Sequence, residues 1–145
     1  MAALDYILGI DVGGTNSRLQ LFSVSSIDVA QQGSMAPGNL VDSKKYMNQD
    51  YDKFEDILED FLKNNNHDKF SIPLVVCLAV AGPIKDNGLK AELTNRNWLI
   101  DSKLLSKKYN THCILINDFV AMGYGLLTLN EDTECQILQN ASKVK

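Results

Sequence analysis

Tyr6-Ile7-Leu8-Gly9-Ile10-Asp11-Val12-Gly13-Gly14-Thr15-Asn16-Ser17-Arg18-Leu19-Gln20-Leu21-Phe22 is the stretch that decides the fold. Residues 6–12 form a short apolar run of strand length, with Asp11 near its end. Gly13-Gly14 follows, a pair suited to a two-residue hairpin turn because glycine takes positive φ at little cost. Residues 18–24 alternate polar and apolar, with Leu19, Leu21 and Phe22 as the apolar part, as a half-buried second strand should. A weaker third strand is expected over 27–35. The chain therefore opens as an antiparallel meander.

Working outward, the period changes to 3.6 from residue 51. Tyr51, Phe54, Ile57, Leu58, Phe61 and Leu62 form one apolar stripe, with Asp52, Glu55, Asp56, Glu59 and Asp60 around it. Early acidic residues and a late Lys63 suit the helix dipole, and Asn64-Asn65-Asn66 ends the helix. Residues 73–80 are continuously apolar, which predicts a strand buried on both faces. Asp86-Asn87-Gly88 signals a tight turn and a small hairpin reaching to about residue 94. Asp101 and Ser102 are placed to cap a helix carrying Leu104, Leu105 and Tyr109. Residues 113–116 read as another buried strand, and a helix is expected from Asp118 through Phe119, Met122, Tyr124, Leu126 and Leu127. The tail beyond Asn130 is polar, with one short strand expected at 135–138. Helical crossovers imply parallel strands with helices on the sheet faces. The fold class is therefore α/β, with a mixed five-stranded sheet, an antiparallel three-strand meander and flanking helices.

The chain has 145 residues, enough for one domain to bury a core, and 45% of them are hydrophobic, the proportion of a globular protein. Its net charge is −4 and its basic residues are scattered, which argues against nucleic acid or an anionic membrane as a partner. No apolar run reaches the roughly 20 residues of a membrane-spanning helix, and no leader is evident at the start. Cys77, Cys113 and Cys135 are widely spaced; the first two lie in apolar runs and read as buried reduced thiols, which suits the cytoplasm.

The unusual residues fall at strand ends. Asp11 ends the first strand, Ala81-Gly82-Pro83 ends the 73–80 strand, and Asn117-Asp118 ends the 113–116 strand. With these strands parallel, all three clusters lie at the carboxyl edge of one sheet, where open α/β sheets bind ligands. At the first cluster, Gly13-Gly14 lets backbone N–H groups approach an anion, and Thr15 adds a hydroxyl. Asp11 suits a magnesium ion held through water. The spacing fits neither a Walker loop nor a dinucleotide fingerprint. The turn alone is equally compatible with a plain hairpin. Asp118 reads as a helix N-cap or, facing the same crevice as Asp11, as a base toward an attacking hydroxyl. Asn117 offers both donor and acceptor to a sugar hydroxyl. Leu93-Thr94-Asn95-Arg96-Asn97-Trp98 adds polar amides beside the only tryptophan. That Trp reads first as a core anchor and second as a sugar-site wall.

These residues resemble the hexokinase-type glucokinases of bacteria and some protists, within the actin-like sugar kinase superfamily. Residues 9–18 resemble the family's first phosphate motif. Residues 79–84 and the run Leu93-Thr94-Asn95 to Trp98 resemble its middle segments. Residues 115–121 resemble its catalytic segment, and the similarity spans about residues 7–129. The resemblance implies a ribonuclease H-like/actin-like ATPase domain and phosphorylation of glucose at its 6-hydroxyl by ATP with Mg2+. It implies that Asp118 is the general base and that Asn117, Asp118 and Asn95 meet glucose, Asn95 by position only. It further implies that Asp11, Gly13, Gly14, Thr15 and Asn16 meet the ATP phosphates and magnesium, and that the full-length enzyme is a homodimer.

The family's second Gly-rich turn, adenosine segment and Glu-x-x-His motif do not occur in this sequence. The chain is accordingly expected to be an N-terminal part, with a small domain over 1–118 and the start of a larger one over 119–145. Half a cleft should not catalyse well, because phosphoryl transfer needs charge neutralised from several sides. Leu126, Leu127 and Leu129 are then expected to lack cover. A non-catalytic sugar-sensing domain and a kinase for another hexose are the alternatives; Asp11 and Asp118 speak against the first.

Overall fold

The computed structural model describes residues 5–24, 38–64, 72–93, 95–129 and 131–136. β1 (Asp5–Val12) and β2 (Asn16–Val24) pair antiparallel, from Asp5 opposite Val24 to Val12 opposite Ser17. β3 (Asn39–Met47) adds antiparallel to β2 and leads through a 3-10 turn, Asn48–Asp50, to α1 (Phe54–Asn64). β4 (Val75–Val80) returns parallel to β1. β5 (Ile84–Lys85), β6 (Lys90–Leu93) and β7 (Trp98–Asp101) form a separate antiparallel sheet. α2 (Ser102–Tyr109) precedes β8 (His112–Asn117), which lies parallel to β4, and α3 (Asp118–Leu126) and α4 (Glu131–Glu134) follow. The main sheet runs β3-β2-β1-β4-β8, so the five-stranded mixed sheet with its meander is as expected.

Several expectations change in detail. The strand expected at 27–35 lies outside the described residues, and the strand that pairs with β2 is β3, a polar edge segment without a clear apolar period. Tyr51 is not on α1; its backbone is extended, and its ring meets Tyr46 edge-on at 5.7 Å. The small hairpin gains a third strand, β7, paired from Trp98 opposite Leu93 to Asp101 opposite Lys90. Of the tail strand expected at 135–138, Cys135 and Gln136 are not in a strand, and the rest lies outside the described residues.

The core gathers on one face of the main sheet. Leu8, Ile10 and Val12 of β1, Leu19 and Leu21 of β2, Val76, Leu78 and Val80 of β4, and Cys113 and Leu115 of β8 are buried there. Phe54, Ile57, Leu58 and Phe61 of α1 and Leu105 of α2 belong to the same cluster. The opposite face, with Ile7, Cys77 and Ile114, is only partly covered among the described residues. β4 is therefore buried on one face rather than both, and Cys77 is half-buried where Cys113 is buried. Burial pushes both thiols up.

Local chemistry fixes the connections. The Asp101 carboxylate accepts from the N–H groups of Lys103 and Leu104 at 2.9 and 3.1 Å, the expected cap of α2. Asn110 ends that helix in the left-handed region, at φ 49°, and its N–H returns to the Ser106 carbonyl. Asp86, Asn87 and Gly88 all take positive φ in the expected hairpin turn. Trp98 is 4% exposed and donates from Nε1 to the Asp52 carbonyl at 2.7 Å, so it anchors the small sheet to the start of α1. No helix among the described residues is long and apolar enough to cross a membrane.

Candidate active site

Strand register brings the sequence clusters together. Val12, Val80 and Asn117 are partners across β1, β4 and β8, so the three parallel strands end on one level. The Ala81 N–H extends the ladder to the Val12 carbonyl at 3.0 Å, holding Ala81-Gly82-Pro83 against the end of β1. Gly82 is required by close approach: a Cβ there would lie 2.4 Å from the Glu92 carbonyl oxygen of β6. That contact seats the small sheet, and with it Asn95, at the same edge.

The β1–β2 turn differs from the expected Gly13-Gly14 hairpin. It is closed by the Gly13 N–H on the Asn16 carbonyl at 2.9 Å and so centres on Gly14-Thr15. Neither Gly13 nor Gly14 has positive φ. What the glycines provide is space. A Cβ on Gly13 would lie 3.1 Å from the Asn16 carbonyl, and one on Gly14 would lie 3.1 Å from Asn95 Nδ2. The missing side chain of Gly14 is thus what lets the Asn95 amide come up against the turn. Among the described residues, the N–H groups of Gly14 and Thr15 have no backbone acceptor. Two N–H groups and the exposed Thr15 hydroxyl therefore stand at the tip, an arrangement that accepts an anion. Asn16 is oriented differently, with its Oδ1 buried and lacking a partner among the described residues.

Asp11 is exposed, on the face of β1 opposite the core. Asn117, not Asp118, is the N-cap of α3. Its Oδ1 accepts from the Phe119 N–H at 3.0 Å, and its Nδ2 donates to the Gly82 carbonyl at 3.3 Å. Asn117 thereby ties the end of β8 to the end of β4. Asp118 is half-buried, and one carboxylate oxygen accepts from the same Phe119 N–H at 2.9 Å. Its second oxygen is left for another donor. One hydrogen bond and the shared cap thus fix the direction of the carboxylate.

The residue that sequence reading misses is Asn48, fully buried just past the end of β3, joined to the turn at two points and to Ser17 of β2 at a third. It lies in a polar stretch without periodicity, where one buried amide looks like any exposed one.

With this geometry in place, the comparisons with known proteins are specific. The glucokinase family model matches residues 8–145. The glucokinase of Nostoc punctiforme is 35% identical over 126 residues, covering 86% of this chain and 33% of that protein. A crystal structure of a glucokinase from an Antarctic psychrotroph aligns with a TM-score of 0.70 at 26% identity, over 88% of this chain and 37% of that one. The glucokinase of Balamuthia mandrillaris, crystallised in complex with glucose, shares the fold with a TM-score of 0.61 at 23% identity, over 86% and 33% of the two chains. The chain thus spans about a third of the length of the curated relatives it matches. By its family match, it belongs to the glucokinase family.

Proposed function

We propose that this chain forms the N-terminal wall of an ATP-dependent glucokinase of the cytoplasm, a homodimer at full length. The observation that carries this is the level ending of β1, β4 and β8, which gathers the phosphate turn, Asn95 and Asp118 at one sheet edge. The finer assignment to the ribonuclease H-like/actin-like ATPase fold is supported by the sheet order, an antiparallel meander followed by two parallel strands.

In the proposed reaction the second oxygen of Asp118 takes the proton of the glucose 6-hydroxyl as the hydroxyl oxygen bonds to the γ-phosphorus of ATP and the bond from that phosphorus to the β–γ bridging oxygen breaks, releasing ADP. Asn117 holds Asp118 in place through the α3 cap, and its remaining amide hydrogen and lone pair, with the Asn95 amide, meet sugar hydroxyls. The Gly14 and Thr15 N–H groups and the Thr15 hydroxyl receive phosphate oxygens, with Gly13 and Asn16 closing the turn. Among the described residues no three His, Cys, Asp or Glu side chains form a metal cluster. Asp11 is an exposed carboxylate, and such a group fits Mg2+ held through water, since that ion keeps much of its hydration shell. Bound with the nucleotide, Mg2+ supplies charge neutralisation at the phosphates.

Residues 1–118 are assigned to the small domain and 119–145 to the start of a larger one. The support is α3, which buries none of its residues although many are apolar, with Phe119 and Leu126 76% and 66% exposed. The test is to express the reading frame continued past Lys145 and assay it with glucose and ATP. ATP-dependent formation of glucose 6-phosphate is the expected result. Glucose binding without phosphorylation would overturn the proposal in favour of a sugar-sensing module, and phosphorylation of another hexose in place of glucose would correct the substrate.

A further inference from the structure

We infer that Asn48, seated behind the Gly13–Thr15 turn and fixed by Ser17, is a positioning residue that aims the Gly14 N–H at the phosphoryl donor. The inference rests on the reading of that turn as the ATP phosphate site.

Asn48 and Ser17 are both 0% exposed. Burying an amide and a hydroxyl is unfavourable unless each finds a partner, so where those partners lie is informative. Every one lies on the turn or beside it. Asn48 Nδ2 donates to the Gly13 carbonyl at 2.8 Å, and the Asn48 N–H donates to the Thr15 carbonyl at 2.9 Å. The Ser17 hydroxyl donates to Asn48 Oδ1 at 2.8 Å, which settles which end of the amide faces Gly13. One residue from the end of β3 thus grips the carbonyls on both sides of Gly14.

The consequence follows from peptide geometry. A trans peptide is planar, with its C=O and N–H pointing in opposite directions. The Gly13 carbonyl and the Gly14 N–H belong to one such unit. Drawing the carbonyl inward onto Asn48 turns the Gly14 N–H outward, away from the core. Gly14 carries no Cβ to restrict rotation of that unit, so without Asn48 its direction would be weakly set. A donor aimed before the ligand arrives needs no reorganisation when charge develops on it.

The test uses Asn48→Asp and Ser17→Ala in the full-length enzyme, with steady-state kinetics against ATP and glucose separately. Hydrogen exchange of the peptide spanning residues 12–17 is followed alongside. Asn48→Asp keeps an acceptor for Ser17 but removes the donor to Gly13. The expected result is an ATP KM raised about tenfold, with glucose KM changed less than about twofold. Exchange in the turn peptide should also be faster by about tenfold while a β4 peptide is unchanged. Ser17→Ala, the milder change, should move both readouts in the same direction by about twofold to fivefold, and it serves if Asn48→Asp does not fold. Equal losses toward ATP and glucose, or an ATP KM and turn exchange both unchanged, would overturn the inference. An enzyme that never used ATP would instead defeat the kinase reading, and the exchange measurement would then still decide whether Asn48 holds the turn.

Discussion

Gly14 shows how little separates a turn from a site. Its φ is not positive, so a methyl group there meets no left-handed strain and should leave folding largely intact. The same methyl would lie 3.1 Å from Asn95 Nδ2, on the residue that carries one of the two N–H groups at the tip. Gly14→Ala in the full-length enzyme is therefore expected to raise the ATP KM by about tenfold, with thermal unfolding within a few degrees of the parent. A large loss of stability with ATP affinity retained would mean that the glycine serves the fold alone. The residues of this edge were legible because their types are unusual where strands end, as at Asp11, Gly13-Gly14 and Asn117-Asp118. The reason for the glycines was not legible. Positive φ and close approach select the same residue, and only coordinates tell them apart.

Elements with strong local chemistry read well from sequence, and those held by pairing alone do not. α1 declares itself through Phe54, Ile57, Leu58 and Phe61 on one face, and α2 through its Asp101 cap. β3 lacks such a signal because an edge strand with one partner tolerates Asp42, Ser43, Lys44 and Lys45 in succession. β7 escapes for a different reason: four residues are too few to show a period. The cap carries a prediction of its own. Asp101→Ala leaves the first N–H groups of α2 without their acceptor and should cost about 1 kcal/mol, measured by urea denaturation. Asp101→Asn should restore most of the loss, because the amide oxygen caps equally well. Restoration by neither Asn nor Ser would show that the carboxylate charge, rather than the cap, is what matters.

At the scale of the whole molecule, the described residues bury one face of the main sheet and cover the other only in part. Phe119, Met122, Tyr124, Leu126 and Leu127 of α3 and its extension are 62–76% exposed, which agrees with the exposure expected of Leu126 and Leu127. Burying any one of them would contribute roughly 1.5–3 kcal/mol, so the surface is poised to be covered. The 145-residue chain alone should bind a hydrophobic dye and form species larger than a dimer in light scattering, whereas the proposed full-length enzyme should leave the dye unbound and scatter as a homodimer. A monomeric, dye-negative chain would contradict the assignment of α3 to an interface. The central claim concerns the opposite end of that helix, where Asn117 caps α3 and fixes Asp118 at the same sheet edge as the proposed phosphate turn. Its most direct test is the turnover of Asp118→Asn in the proposed full-length enzyme, a near-isosteric change that removes the carboxylate's charge and its ability to accept a proton. A base in that position predicts a fall in kcat of about a hundredfold or more, with glucose KM changed only a few-fold. A kcat within about threefold of the parent would contradict it.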